Sequence, residues 1–181
     1  MDIFVIFKMI WLMLPAYLAN PAAAISAKIG GAGRAIDFGK SYKDKRIFGD
    51  GKTYKGLVSG IIFGIFVAVS QNIINIYLIN SVMPAFNFTA ILLLPSGAML
   101  GDLVASFFKR RMGFKRGQAF PVLDQLDFVA GAWFLELLFN REWFLNNFSA
   151  GIIITAIILT PFFHLMFNII GYKLRISKEP W

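Results

Sequence analysis

Residues 101–128 read GDLVASFFKRRMGFKRGQAFPVLDQLDF. The stretch starts inside an apolar run that contains Asp102, continues through the cations Lys109, Arg110, Arg111, Lys115 and Arg116, and closes on Asp124 and Asp127. If 102–109 is helical, Asp102, Ser106 and Lys109 fall at i, i+4 and i+7 and share one face. Asp124 and Asp127, three apart, share a face in the same way. Carboxylates gathered this closely repel one another unless a cation stands between them, and Mg2+ is commonly held by a few carboxylates together with substrate phosphates. The pattern predicts a metal-dependent nucleotide site at a membrane face, with Asp102, Asp124 and Asp127 as the metal ligands.

The chain around this stretch is that of a membrane protein. Of its 181 residues 57% are hydrophobic and only 15% charged, which excludes an ordinary soluble domain. It has no cysteine, so disulfides, thiolate metal sites and cysteine nucleophiles are excluded. The formal charge of +8 would suit nucleic acid, but its distribution follows membrane topology instead. Apolar stretches long enough to cross a bilayer occupy residues 3–24, 57–79, 86–108, 124–145 and 150–171. Pro15 and Pro21 are expected to kink or end the first. Gln71, Asn72 and Asn75 interrupt the second and are expected to bond across helices. Pro95 and Gly97 break the middle of the third, where freed carbonyls need protein or a wet cavity beside them. Two basic loops, 25–56 and 109–123, lie on one side with the C-terminus, and together they carry sixteen of the eighteen Lys and Arg. The positive-inside rule makes that side cytoplasmic and puts the N-terminus outside. The expected fold is therefore an all-α integral membrane protein: one domain of five transmembrane helices, without internal repeats.

Within this frame Asp102 lies about 10 Å below the cytoplasmic end of the third span. A carboxylate at that depth costs a few kcal/mol on insertion scales and implies a cavity with a partner, either a metal or a structural cation. Asp124 and Asp127 alone would also suit a solvated helix start, where negative charge favours the dipole; with Asp102 they form a candidate ligand set. Residues 48–56 read FGDGKTYKG. The spacing of a phosphate-binding P-loop fails, because Arg46 stands where the first glycine belongs, but backbone amides beside Lys52 and Thr53 can still approach a triphosphate. Glu136 falls out of phase with Asp127 and is left out of the site. His164, the only histidine, reads as hydrogen-bonded packing, and Lys8 as a side chain snorkelling to the nearer surface.

Ser106-Phe107-Phe108-Lys109-Arg110, then Lys115, Phe120-Pro121 and Leu123-Asp124-Gln125-Leu126-Asp127, preceded by Gly101-Asp102, resemble the signature of the membrane CTP:phosphatidate cytidylyltransferases. Two departures stand out: Arg116 replaces an Asp after the lysine, and a His-Gly-Gly between the proline and the aspartate pair is missing. The small size, the five spans and the stretches 15–21 (PAYLANP), 36–39 (IDFG), 46–56 and 94–98 (LPSGA) with Gly101-Asp102 are similar to the archaeal sister family, the CDP-archaeol synthases. That resemblance implies transfer of the cytidylyl group of CTP to an ether-linked lipid phosphate, 2,3-di-O-geranylgeranylglycerol 1-phosphate, with Mg2+ and release of pyrophosphate. It implies that Asp102, Asp124 and Asp127 hold the metal against the triphosphate. Lys109, Arg110, Lys115, Arg46, Lys52 and Thr53 would neutralise phosphate charge, with Ser106 on the same helix face, and Asn20 and Asp37 would contact the nucleotide. The lipid phosphate is itself a nucleophile, so no general base is needed, and its prenyl chains would lie between the spans.

Competing functions carry distinct marks. A CDP-diacylglycerol synthase acting on phosphatidate would share the same residues. A CDP-alcohol phosphotransferase requires further spaced aspartates, and no Asp follows Asp127. A small ion transporter could use Asp102 beside the Pro95–Gly97 break. An accessory protein that binds anionic lipid through its basic loops would not need Asp102 at all.

Overall fold

Helix α1 (Ile3–Lys28) begins where the Asp2 carboxylate accepts from the Phe4 N–H. Equivalent side-chain caps start three other helices: Thr53 for α2 (Tyr54–Tyr77), Asn87 for α3 (Phe88–Arg111) and Ser149 for α6 (Ala150–Lys173). Each cap satisfies one of the orphan N–H groups of a first helical turn. Between α3 and α6 lie α4 (Leu123–Phe139) and the short α5 (Arg141–Asn147). This computed structural model describes residues 2–31, 33–114, 118, 120 and 123–175.

Helices α1, α2, α3 and α6 are long and apolar enough to cross a membrane. Their outward faces are apolar, with Ile62, Phe66, Ile76 and Phe162 all more than half exposed, as lipid contact requires. The 17-residue α4 is shorter, but it runs antiparallel to α3 from end to end. Lys109 near the end of α3 meets Asp124 at the start of α4, and Asn140 just beyond α4 exchanges amide hydrogen bonds of 3.0 Å with Asn87 at the start of α3.

The observed helices correct several sequence boundaries. α1 continues through both prolines to Lys28 instead of stopping at residue 24. Pro15 cannot donate to the carbonyl of Trp11, four residues back. Gln71 Nε2 of α2 donates to that oxygen instead, at 2.9 Å, so the freed acceptor is satisfied across the helix pair. The fourth apolar stretch, expected over 124–145, breaks at Asn140, whose backbone (φ −143°, ψ 38°) is not helical, and α5 follows as a separate piece. Lys109, Arg110 and Arg111 belong to the last turn of α3 rather than to a loop, where positive charge complements the helix dipole. The first basic loop contains a small antiparallel hairpin, β1 (Ser41–Tyr42) with β2 (Lys45–Arg46), which an all-α expectation omits.

Small residues decide how closely the helices approach. A Cβ on Gly60 or Gly64 of α2 would stand 2.8 Å from the backbone oxygen of Ala19 or Pro15 in α1. On α3, a Cβ on Gly101 would lie 2.3 Å from the Asp127 carbonyl oxygen, and one on Gly131 of α4 would lie 2.3 Å from the Gly97 oxygen. The α3 and α4 backbones are therefore in direct contact, the small-residue packing that membrane helices use where burial of apolar surface supplies no drive. This contact sets Asp102 beside Asp127. At the opposite end, Asn72 and Asn75 pair with the backbone of Phe86 and Met83, and the indoles of Trp11 and Trp143 donate to Pro84 and Ala85, pinning the link between α2 and α3.

Candidate active site

The basic C-terminal part of α3, the acidic start of α4, the C-terminal half of α6 and the first loop enclose a cavity of about 570 Å3. Asp102, Ser106, Lys109 and Arg110 enter it from α3, one helical face as the spacing predicts. Asp124 and Asp127 enter from α4, and Arg46, Gly49, Gly51 and Lys52 from the loop. The sequence-predicted residues thus converge, with the exceptions given below.

The carboxylates are held by lysines. Lys52 Nζ donates to Asp102, and Lys109 Nζ donates to both oxygens of Asp124 at 2.9 and 2.7 Å. All four side chains are mostly sheltered, so removing one partner would leave a charge without compensation. Asp127 has no ion-pair partner among the described residues, and its electrostatic neighbours are Asp102, Asp124 and Lys52.

Among the described residues no three His, Cys, Asp or Glu side chains are grouped closely enough to hold a metal on their own. The expectation is that Asp102, Asp124 and Asp127 hold the metal against a triphosphate; without one, Asp102 is paired with Lys52 and Asp124 with Lys109. The donor chemistry still fits Mg2+, which prefers one or two carboxylates plus substrate phosphates over an all-protein cage.

The first loop is organised around Asp37. Its buried carboxylate accepts from Gly39 N–H (3.1 Å), Phe48 N–H (3.0 Å), Gly49 N–H (2.9 Å) and the Nε and Nη2 of Arg46 (3.3 and 2.6 Å). Burial opposes its charge, but the Arg46 guanidinium and the three N–H donors outweigh burial and hold the carboxyl well below the usual carboxylate range. Arg46 is driven further into its charged form by Asp37 and Asp50. Five donors saturate Asp37, and it does not line the cavity, so the expected contact to a nucleotide is replaced by a role inside the loop. Its donors position Gly49, and with it the backbone leading to Lys52. Arg111 adds a second tie, donating to the backbone oxygens of Tyr42, Lys45 and Arg46 and so fastening the hairpin to the end of α3.

Two further expectations are refined. The Thr53 hydroxyl oxygen accepts from Gly56 N–H at 3.1 Å as the α2 cap, and the residue lines a side pocket of about 260 Å3 next to the main cavity. Asn20 of α1 lines that side pocket and an apolar groove, but not the main cavity. Lys115 lies outside the described residues. Glu136, left out on phase, is buried near the far end of α4 against Asn140 Nδ2 and does not reach the cavity.

Sequence reasoning missed His164 and Asn168 of α6, both of which line the cavity. Their i, i+4 spacing and their depth, nine and five residues before the basic Lys173 end, match the depth of Asp102, nine residues before Arg111. That common level was the available signal. The same two residues open onto the groove of about 270 Å3 between α1, α4 and α6, whose walls include Tyr17, Phe128, Phe163 and Phe167.

The profile of the CarS-like CDP-archaeol synthases matches residues 2–181. A CDP-archaeol synthase of Methanosarcina acetivorans is 50% identical over 179 residues, covering 93% of this chain and all of the relative. Those of Methanosarcina barkeri and Halobacterium salinarum are 51% and 43% identical, covering 93% and 95% of this chain and 100% and 94% of theirs. A solved structure described as an intramembrane enzyme for archaeal membrane lipids biosynthesis is 31% identical, covers 91% of this chain and 94% of its own, and superposes with a TM-score of 0.70.

Proposed function

Because the chain belongs to the CarS-like CDP-archaeol synthase family, we propose that it transfers the cytidylyl group of CTP to the phosphate of 2,3-di-O-geranylgeranylglycerol 1-phosphate, forming CDP-archaeol and pyrophosphate. The observation that carries this is the adjacency of two unlike spaces. A cavity rich in cations and an apolar groove between helices share His164 and Asn168 as lining residues. A substrate with a doubly charged head and long hydrocarbon chains needs both.

In the reaction a lipid phosphate oxygen attacks the α-phosphorus of CTP, a new P–O bond forms, and the bond to the β-phosphate oxygen breaks, releasing pyrophosphate. The phosphomonoester is ionised near neutral pH, so the protein's work is to position the two phosphates and to neutralise charge. Lys52 and Lys109 already stand in the cavity as cations balanced by Asp102 and Asp124. As a triphosphate enters, these ammonium groups turn toward its oxygens, joined by Arg46 and Arg110 from the loop and the end of α3. Mg2+, held by Asp102, Asp124 and Asp127 together with phosphate oxygens, would supply the remaining neutralisation of the triphosphate. Lys115 belongs to the same cationic set by sequence. Asp37 acts at one remove, by shaping the loop that carries Gly49 and Lys52, and Asn20 lines both the side pocket and the groove. Ser106, buried between Asp102 and Lys109 on α3, offers a hydroxyl donor to a phosphate.

α4 would be the fifth crossing, since its two ends are tied to the two ends of α3. The cavity would then face the cytoplasm, where CTP is made and where positive charge is retained. The lysine pairing of Asp102 and Asp124 also weakens the ion-transport alternative, which needs carboxylates free to coordinate the ion.

The test is pyrophosphate release by the purified protein with CTP, Mg2+ and either the geranylgeranyl ether lipid phosphate or diacyl phosphatidate, with ATP, GTP and EDTA controls. CTP-specific, metal-dependent release that favours the ether lipid is the expected result. Preference for phosphatidate would reassign the lipid, and silence with every lipid phosphate in a folded sample would overturn the enzyme assignment.

A further inference from the structure

The main cavity and the apolar groove share two lining residues, His164 and Asn168, and His164 also lines the side pocket beneath Thr53. Any molecule with its head in the cavity and its chains in the groove passes these side chains at the point where charge gives way to hydrocarbon. The imidazole is fixed there on two sides. Its ring stacks on Phe128 of α4, with centroids 6.4 Å apart and planes 23° apart. Phe128 in turn meets the edge of Tyr17, whose hydroxyl is 2.8 Å from Thr160 Oγ1 of α6. One turn along α6, Asn168 Nδ2 lies 3.3 Å from His164 Nδ1. An amide nitrogen can only donate, so Nδ1 accepts and the neutral ring carries its proton on Nε2.

We propose that His164, oriented by Asn168 and by the stack on Phe128, binds the phosphate of the lipid substrate by donating its Nε2–H to a phosphate oxygen, and so fixes where the headgroup stops along the passage from groove to cavity. This rests on the lipid-phosphate cytidylyltransferase function proposed above. A neutral donor suits the position. The cations that meet the triphosphate, Lys52, Lys109 and Arg46, come from α3 and the loop, whereas α6 contributes no charged side chain to the cavity. The lipid phosphate therefore receives a directed hydrogen bond on the α6 side without another fixed charge at the mouth of the groove. Mere packing would not require an imidazole that borders three spaces at once with its tautomer set by an amide.

The test compares steady-state constants for wild type and three variants in detergent or proteoliposomes, using CTP and geranylgeranyl ether lipid phosphate as the probes. His164→Phe keeps the stack and removes the donor. Its KM for the lipid phosphate should rise about 10- to 100-fold, the effect of losing one hydrogen bond to a charged group, while KM for CTP stays within about twofold. His164→Gln restores an N–H donor and should recover most of the lipid KM, a rescue that a structural role would not produce. Asn168→Leu removes the orienting amide and should shift the lipid KM in the same direction by a smaller factor. An unchanged lipid KM in a folded, active His164→Phe protein would overturn the inference, as would an equal rise in both KM values. If wild type itself releases no pyrophosphate with any lipid phosphate, the functional assignment falls and takes this inference with it; an active wild type with a normal His164→Phe variant removes this inference alone.

Discussion

The contact between α3 and α4 makes activity sensitive to a single methyl group that touches no substrate. In Gly101→Ala the added Cβ would stand 2.3 Å from the Asp127 carbonyl oxygen, where ordinary contact begins at 3.4 Å. The helices must therefore separate by about 1.1 Å at this level, because the obstacle is helical backbone that cannot rotate aside. Asp102 is the next residue, and Asp127 is the one struck, so the displacement falls directly on two cavity carboxylates. Overpacking of this kind costs roughly 1–3 kcal/mol of stability. A misplacement near 1 Å at a reacting centre costs on the order of 100-fold in rate. The assay is CTP-dependent pyrophosphate release alongside thermal unfolding in detergent. Gly151→Ala serves as control, since its Cβ would meet nothing closer than 3.9 Å. A folded Gly101→Ala protein that keeps more than about a third of wild-type kcat/KM would refute the backbone contact as the device that positions the carboxylates.

Four other outcomes are expected. Asp102→Asn should lower turnover by at least about 100-fold and leave a protein that still extracts folded in detergent, measured by pyrophosphate release and size exclusion; an active variant would remove Asp102 from the metal and phosphate chemistry. Asp37→Asn should loosen residues 29–53, seen as faster limited proteolysis and a raised KM for CTP, because Arg46 and three N–H groups lose a charged acceptor. The depressed carboxyl of wild-type Asp37 contributes stability that is complete above its unfolded value of about 3.9 and is lost only as pH falls through the lower folded value. Protease protection of the loop should therefore stay flat from about pH 8 to pH 5, and loop opening across that window would contradict the assignment. Gln71→Leu should lower the unfolding temperature by roughly 1–7 °C with kcat unchanged, since the Trp11 carbonyl freed by Pro15 loses its donor, a loss of about 0.6 to 1.7 kcal/mol in a bilayer.

What was legible in the sequence was what composition and helical spacing can express. Asp102, Ser106 and Lys109 on one face, and Asp124 with Asp127 on another, came from counting residues, and the structure brings both faces to one cavity. The cross-helix use of Gln71 was expected from its chemistry; its actual partner, the carbonyl orphaned by Pro15, required knowing which helix lies opposite. The glycines carried more than was taken from them. Gly97 and Gly101 are four apart, and Gly131 follows Asp127 by the same interval, yet only the packed helices show that backbone meets backbone there. Asp37 was assigned to the nucleotide because resemblance marks a residue without saying what it touches, and its five donors come from a loop whose path no periodicity encodes. His164 was passed over because a lone histidine in an apolar helix is usually packing. Its role depends on the junction of two spaces, a property of three helices together.

The lysine–carboxylate pairs also explain how a chain this apolar carries such a cavity. Isolated charges at this depth would each cost several kcal/mol, and the cavity removes most of that cost by setting Lys52 against Asp102 and Lys109 against Asp124. Those pairs cannot be improved by the protein alone, because any added cation would crowd a lysine and any added anion would crowd a carboxylate. A triphosphate entering with a divalent cation would bring both signs together: Asp102 and Asp124 would hold the metal and Lys52 and Lys109 the phosphates, so that the balance of charge is kept. Neither partner arriving alone would offer that balance. Under the function proposed above, the pairing that stabilises the cavity would thus also favour CTP and Mg2+ as a joint ligand, and Asp127, with no ion-pair partner among the described residues, would be a further carboxylate able to hold the metal.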